Sequence, residues 1–389
     1  MELVKRLAII TTHPIQYYAP VFKLLAKQDL ILRVFYTWGK DSIKKYDPDF
    51  KKTIEWDIPL LDGYDFEFLE NTSSKPGTTH FKGIVTPHAI QAINRFNPDA
   101  ILVYGWSWHS HLQIIRHYAS KKQIWFRGDS TSIDTIPLSK KIIRKILLTW
   151  VYRHIDLAFY VGIHNKKYFL QFGLKENQLR FSPHSIDNDR FSKFPNDSDE
   201  NIREKLGLPH SGTLVLFAGK FEPKKDPIGL LKAFQALSNP NAFLLFVGNG
   251  QLEDELKDLV KNSSRPGHVF FMDFQNQGSM PAIYRASDLY CLPSTGPGET
   301  WGLAVNEAMA SGKAVLVSSK VGCAPDLVIP GANGDIFEAG NVQALQERLE
   351  ILTKDRKTLH EMGGASSRLI EKWSFQQQIV PILEEIQKL

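Results

Sequence analysis

Short runs of consecutive apolar residues recur along this chain, separated by segments whose apolar residues fall three and four apart. The runs predict strands buried on both faces, and the segments between them predict amphipathic helices. Residues 7–11 form the first run. A loop, Thr12 to Tyr18, and a helix to Lys27 follow it. Residues 31–36 predict a second strand. Residues 40–80 hold no sustained pattern and predict an irregular excursion, and so long a connection is often functional. The alternation then resumes with helix 84–96, strand 100–104, helix 111–120, strand 123–126, helix 139–154, strand 157–161 and helix 164–172, stopped by Gly173. Such alternation predicts a doubly wound parallel sheet.

Residues 191–199 are polar, contain a proline and form the best linker candidate. The pattern restarts after them: strand 214–218, helix 227–237, strand 242–247, helix 251–261, strand 269–272, helix 280–286 and strand 289–292. Helices 342–352, 354–372 and 374–387 complete the chain. Two α/β units in tandem would leave a cleft at the carboxyl ends of their strands, where open α/β sheets bind ligands.

The densest chemistry lies in residues 294–328. A strand end leads through a Gly/Pro loop into a short helix, then a buried strand and a second glycine loop. Glu299 precedes the helix and Glu307 lies on it. The expected helix start, Thr300, Trp301, Gly302 and Leu303, would offer unpaired backbone N–H groups and a positive dipole end. Both suit a phosphate or a sugar oxygen.

Length and composition refine this picture modestly. A chain of 389 residues suggests roughly two domains. Two cysteines, Cys291 and Cys323, argue against a disulfide framework and for a reducing, cytoplasmic setting. No Cys/His spacing resembles a zinc site, and no metal is expected. The apolar run 7–10 is too short for a signal peptide, and no segment approaches the ~18 apolar residues of a membrane span. The net charge of +5 is uneven: residues 1–195 carry 28 Lys/Arg against 18 Asp/Glu, and residues 196–389 carry 19 against 24. The basic half either meets an anionic partner, such as a membrane surface or a phosphorylated acceptor, or only reflects uneven surface charge.

Two further loops follow strands directly. In Gly219-Lys220-Phe221-Glu222-Pro223-Lys224-Lys225-Asp226 the glycine lets the backbone turn, and lysines at a strand's carboxyl end are placed to hold a diphosphate. A solvated lysine-rich loop is the alternative. The turn Gly248-Asn249-Gly250 either faces a nucleotide or is a tight connection. The absence of a GxGxxG pattern leaves a dinucleotide-binding oxidoreductase poorly supported.

Together these features resemble the retaining glycosyltransferases of the GT-B fold, family 4, also called glycosyl transferases group 1. Four segments carry the resemblance: 182–191 (SPHSIDNDRF), Gly219-Lys220 with Lys225, 247–251 (VGNGQ), and Glu299 to Glu307 with 318–328. It implies two Rossmann-like doubly wound α/β domains facing a cleft: an acceptor-binding domain at 1–195, a nucleotide-sugar-binding domain at 196–372, and a last helix, 373–389, packed back on the first domain. Glu299 would contact donor-sugar hydroxyls, and Glu307 the ribose. Backbone N–H groups around Thr300, Trp301, Gly302 and Leu303 would meet the sugar or its phosphates, as would Gly219, Gly248 and Gly250. Lys220 and Lys225 would neutralise the diphosphate leaving group. The family more often has arginine where Lys220 stands, so phosphate geometry differs here. No metal or cofactor is implied; the nucleotide-diphosphate sugar is a substrate. Eight helical steps between the two glutamates would separate them by ~12 Å. That is more than the ~5–5.5 Å of a retaining hydrolase pair, so the glutamates are expected to hold the donor rather than attack it.

The N-terminal half conforms less. Its first loop lacks paired glycines, and Asp129 stands where many relatives have a histidine. Asp129 would orient or deprotonate the acceptor hydroxyl, or else pair structurally with Arg127. His13 is a second acceptor-side candidate, with a hydrogen-bonded loop histidine as its alternative. His109 and His111 are expected to pack. Residues 140–153 form a basic amphipathic helix bearing Trp150. It either rests on anionic lipid headgroups, as a peripheral contact on the inner membrane face, or is a core helix with a solvated basic face.

The expected function is sugar transfer from a nucleotide sugar to a glycan or lipid-linked acceptor in surface polysaccharide or glycolipid assembly, with no nucleic-acid partner. A GT-B sugar-nucleotide epimerase and a non-catalytic sugar-nucleotide binding protein are the rival readings.

Overall fold

A computed structural model describes residues 4–43, 45–47, 52–192 and 202–389. The expected domain boundary at 195/196 and most of the expected linker lie outside the described residues. Where the linker is described, Asn188–Ser192 is helical and Phe191 is buried.

Cα proximity divides the chain into two units. Unit 1 comprises Met1–Lys45, Ile58–His184 and Phe375–Leu389; unit 2 comprises Tyr46–Asp57 and Ser185–Ser374. The described strands are, in chain order, β1 (Arg6–Thr11), β2 (Ile31–Tyr36), β3 (Lys45–Asp47), β4 (Lys52–Ile54), β5 (Phe66–Phe68), β6 (Ala100–Tyr104), β7 (Gln123–Arg127), β8 (Leu157–Tyr160) and β9 (Leu179–Phe181). They continue with β10 (Thr213–Ala218), β11 (Ala242–Val247), β12 (Val269–Met272), β13 (Leu289–Leu292), β14 (Ala314–Ser318) and β15 (Gly334–Phe337).

Unit 1 carries a sheet of order β5-β2-β1-β6-β7-β8-β9, parallel throughout. Unit 2 carries one of order β12-β11-β10-β13-β14-β15, also parallel. Strand order reverses between β1 and β6 in the first sheet and between β10 and β13 in the second. Ligands of such sheets bind at the carboxyl ends of strands at these switch points.

The central strands form because their apolar runs bury on both faces: all of β10 and β11, and Leu7 to Ile10 of β1, are buried. One face of the unit 1 sheet is closed by the helices Ala19–Leu25 and Phe375–Ile386. Phe375, Ile379, Ile382 and Ile386 join Leu7, Ile9, Val34 and Leu102 in one core. Arg180 Nε donates to Glu385 at 2.5 Å and Ser182 Oγ to the Gln378 carbonyl at 2.9 Å, fixing the last helix on this unit.

Five strands differ from the sequence expectation: β3 and β4, which pair with each other, and β5, β9 and β15, each an edge of one of the two large sheets, were not foreseen. The three edge strands are short and each is interrupted by a charged residue, Glu67, Arg180 or Asp335, so no continuous apolar run marks them. The expected helix from residue 84 begins instead at Ala89. Ile84 is extended, and its carbonyl accepts from the Ser110 N–H at 3.3 Å. Among the described residues, no helix is long and apolar enough to cross a membrane.

Candidate functional site

In unit 2 the carboxyl ends of β10 and β13 bring two loops together. The Thr295 N–H donates to the Lys224 carbonyl at 2.9 Å, which ties the loop after β13 to the loop after β10. Lys225 closes the short turn Pro223–Lys225 and donates through Nζ to Glu299 Oε2. Ser294 Oγ donates to the same carboxylate oxygen at 2.8 Å. Both members of the ion pair are largely withdrawn from solvent, so their mutual attraction is stronger than at an open surface. Glu307 is buried on the helix Leu303–Ala310 and accepts from the Tyr284 hydroxyl at 2.9 Å. Tyr290, on β13, lies near both carboxylates: burial pushes its phenol pKa well up, and the charges of Glu299 and Glu307 push it further. Lys220 is half-buried just past β10.

The glycine turns have a packing role. Gly219 N–H donates to the Val247 carbonyl, and Phe221 N–H to the Asn249 carbonyl, so the loops after β10 and β11 run side by side. Gly248 has φ +133°, and a Cβ there would come within 2.1 Å of the Gly219 carbonyl oxygen. A Cβ on Gly250 would meet the backbone of Phe221 at 2.5 Å. Both glycines are therefore required for the close approach of two loops, whatever else they contact.

The helix expected from Thr300 begins at Leu303, with Gly302 in the left-handed region at φ +96°. Thr300 and Trp301 belong to the preceding loop. Trp301 is buried: its indole N–H donates to Asn306 Oδ1 at 2.9 Å, and its ring lies 5.2 Å from that of Trp373. Its side chain thus holds the helix start in place. The glutamates are not joined by a continuous helix, so the eight-step spacing expected between them does not apply. The pairing of Glu299 with Lys225 is what now fixes its position.

In unit 1 a pocket opens at the other switch point. Thr11 and Thr12 line it from the end of β1, Tyr104 and Gly105 from β6, and Arg127, Gly128 and Asp129 from β7; Tyr18, Trp108 and His184 complete the wall. Arg127 is buried and donates to the Ser182 carbonyl at 2.9 Å, Ser182 Oγ at 2.8 Å and the Pro183 carbonyl at 3.0 Å. Burial lowers its pKa, a trend opposed by the neighbouring Tyr104, Tyr18 and Asp129. Tyr18 stacks on His184 with ring centroids 6.3 Å apart. Burial, with Asp129 second, raises the Tyr18 phenol. Burial pushes the Tyr104 phenol up to about 12, and its buried hydroxyl has no hydrogen-bond partner among the described residues. Burial, assisted by the Arg127 charge, lowers His184 to about 3, so the imidazole is neutral at ordinary pH.

His13 stands beside this pocket: Thr12 Oγ1 and His13 Nδ1 share a hydrogen bond at 2.8 Å, and the ring meets Trp38 edge-on at 5.2 Å. His111 is buried between Thr37 Oγ1 and the Gly105 carbonyl, each at 2.8 Å, and burial lowers it to about 4. It packs, as the sequence suggested. Among the described residues, no group of three or more His, Cys, Asp or Glu is placed to hold a metal ion. Four polar side chains at these sites had no role in the sequence reading: Ser294, Tyr284, Tyr104 and His184. Ser294 and His184 lie inside stretches already singled out, whereas the tyrosines sit on elements with no chemical motif.

Residues 198–368 match the family model described as glycosyl transferases group 1. A GDP-mannose-dependent monoacylated alpha-(1-6)-phosphatidylinositol monomannoside mannosyltransferase of Corynebacterium glutamicum is 26% identical over 66% of this chain and 68% of its own. A sulfoquinovosyl transferase of Arabidopsis thaliana is also 26% identical, over 77% of this chain; the match spans 59% of that relative's length. Among solved structures, Anabaena HepE in complex with UDP and glucose superposes with a TM-score of 0.73 at 16% identity, covering 99% of this chain and 100% of its own. A Rickettsia africae glycosyltransferase superposes at 0.75 and 15% identity, covering 99% and 98%. This likeness shows the GT-B fold expected from the sequence, with its two parallel-sheet α/β domains.

Proposed function

We propose that this chain is a retaining, metal-independent glycosyltransferase of family 4. It would move a sugar from a nucleotide-diphosphate sugar to a hydroxyl of a glycan or lipid-linked acceptor, in surface polysaccharide or glycolipid assembly. The observation that carries the proposal is the Lys225–Glu299–Ser294 cluster at the switch point of the unit 2 sheet, inside the segment that matches the family model. Relatives named as nucleotide-sugar-dependent mannosyltransferases of phosphatidylinositol mannosides support a lipid-linked acceptor. The UDP held by Anabaena HepE makes a UDP-sugar the first donor to try.

In this proposal unit 2 holds the donor. Lys220 and Lys225 face the diphosphate and offset the negative charge it gains as the anomeric C–O bond breaks. Glu299 binds donor-sugar hydroxyls, and its pairing with Lys225 keeps it oriented. Glu307, oriented by the Tyr284 hydroxyl, binds the ribose. Unit 1 holds the acceptor. Its hydroxyl oxygen forms the new bond to the anomeric carbon on the face the diphosphate leaves, and its proton passes to the departing phosphate oxygen. Asp129 orients the acceptor, with His13 as the other candidate. The unpartnered Tyr104 hydroxyl is available to an acceptor oxygen, because a buried donor without a partner gains when a ligand supplies one.

A thermal-shift screen with UDP-, GDP- and ADP-sugars tests donor binding. One donor is expected to raise the melting temperature of the wild type and to lose that effect in Glu307→Ala and Lys225→Ala. Product NMR with a glycan or lipid acceptor then reads the anomeric configuration. Undiminished binding in both variants, or turnover of donor without acceptor, would overturn the reading in favour of another site or of epimerisation.

A further inference from the structure

The helix Leu138–Tyr152 is amphipathic in the reverse of the usual sense. A helix on a globular protein normally turns its apolar stripe inward. Here only Leu148, Val151 and Tyr152 are buried. Leu138, Ile143 and Ile146 are 72%, 66% and 69% exposed, and Ile142 and Leu147 are exposed beside them. At 100° per residue, positions 138, 142, 143, 146 and 147 fall within one half of the helix circumference, opposite the buried three. The last turns of the helix join the core through Leu148, Val151 and Tyr152 and its lysines are in solvent, but the apolar side of residues 138–147 faces water as well.

Charge accompanies this face. The helix contains four lysines and arginines and no carboxylate. Lys140, Lys141 and Lys145 are exposed. Lys140 and Lys145 lie at the two borders of the apolar arc. Arg144 is withdrawn: it donates to the Tyr168 hydroxyl at 2.9 Å and lies over the rings of Tyr168 and Phe172. It anchors the helix to unit 1 and leaves the lysines as the outward charges. Trp150 is half-buried under Arg116 and Arg153. An apolar strip bordered by lysines matches the interface of an anionic bilayer, where side chains of this kind enter the acyl boundary while ammonium groups stay with the phosphates.

We infer that Leu138–Tyr152 is a docking surface for a membrane with anionic headgroups, with Ile142, Ile143 and Ile146 entering the bilayer and Lys140 and Lys145, at the borders of the apolar arc, meeting the phosphates. Docking is independent of sugar transfer, so its test reads binding and not turnover. The full chain is floated with vesicles of phosphatidylcholine alone, or with equal parts of phosphatidylcholine and phosphatidylglycerol. The wild type is expected to float with the mixed vesicles and not with the neutral ones. Each lysine near an anionic surface contributes about a factor of 5, so Lys140→Gln/Lys145→Gln should weaken binding about 25-fold at low salt. Ile142→Gln/Ile143→Gln/Ile146→Gln should weaken it at least as much, roughly 100-fold or more. Both variants should melt with the wild type, because the altered residues are solvent-exposed. The inference is overturned if the wild type does not float, or if either variant floats as the wild type does. It is also overturned if the wild type has the mass of two copies in solution and the isoleucine variant returns it to one, which would make this face a dimer contact.

Discussion

The two sheets place a polar cluster at the same topological address and fill it in opposite ways. In unit 2 the charges at the switch point neutralise one another: Lys225 and Ser294 both donate to Glu299. In unit 1 a single buried cation, Arg127, has its hydrogen bonds taken by the 182–183 backbone and the Ser182 hydroxyl, while aromatic rings and a neutral imidazole line the pocket. The same strand reversal thus supports two kinds of site. One is electrostatic, its opposite charges paired with each other. The other is rigid, and its charge is committed to holding its own walls.

The contrast predicts different failures. Arg127→Met should be the most damaging change, because it strands two buried carbonyls and a hydroxyl; about 3–5 kcal/mol of stability should be lost, measurable by urea unfolding. Lys225→Ala should instead leave the fold close to intact while reducing kcat/KM by about 100- to 1,000-fold. A loss of stability there as large as that in Arg127→Met would erase the distinction.

A pH titration sharpens the comparison further. His184 and His111, both in unit 1, are lowered to about 3 and about 4. The unfolded chain, with ordinary imidazoles near 6.5, then binds more protons than the folded one between pH 6.5 and 4. Their contribution is present above about pH 6.5 and is lost as pH falls. Each should remove about 2 kcal/mol between pH 7 and pH 5. His184→Gln should flatten the unfolding profile over that window; an unchanged slope would show that the imidazole is accessible. The smallest effect is expected for Tyr284→Phe, which removes one hydrogen bond to Glu307. About 1–2 kcal/mol should be lost, read as weaker donor binding in calorimetry with little change in melting.

How much of this could be read in the sequence followed from burial. Strands inside a sheet bury most of both faces, so their apolar runs are continuous, and residues 31–36, 100–104, 242–247 and 289–292 were placed to the residue; so was the edge strand 269–272, whose four residues are all apolar. The other edge strands, β5, β9 and β15, are each interrupted by a charged residue and carry no such run. The lysine–glutamate cluster was legible because charged residues beside glycines at strand ends are uncommon. Tyr284 and Tyr104 were not, because a tyrosine on a helix or at a strand end looks the same in sequence whether or not its hydroxyl has a partner. The helix 138–152 showed its amphipathicity in sequence, but periodicity alone cannot say which side faces inward.

The last helix has a consequence for the order in which the chain acquires its structure. Phe375, Ile379, Ile382 and Ile386 complete a core whose other members were synthesised first. On a ribosome, unit 1 would wait for that closing wedge through the whole of Ser185–Ser374, on the order of 10–40 s at about 5–20 residues per second. During that interval the apolar face around Leu7, Ile9 and Val34 is covered only by the helix Ala19–Leu25, and unit 2, contiguous from Ser185 onward, can finish its own core before unit 1 does. The N-terminal unit is thus first to be made and last to be sealed, and chaperone demand should concentrate there.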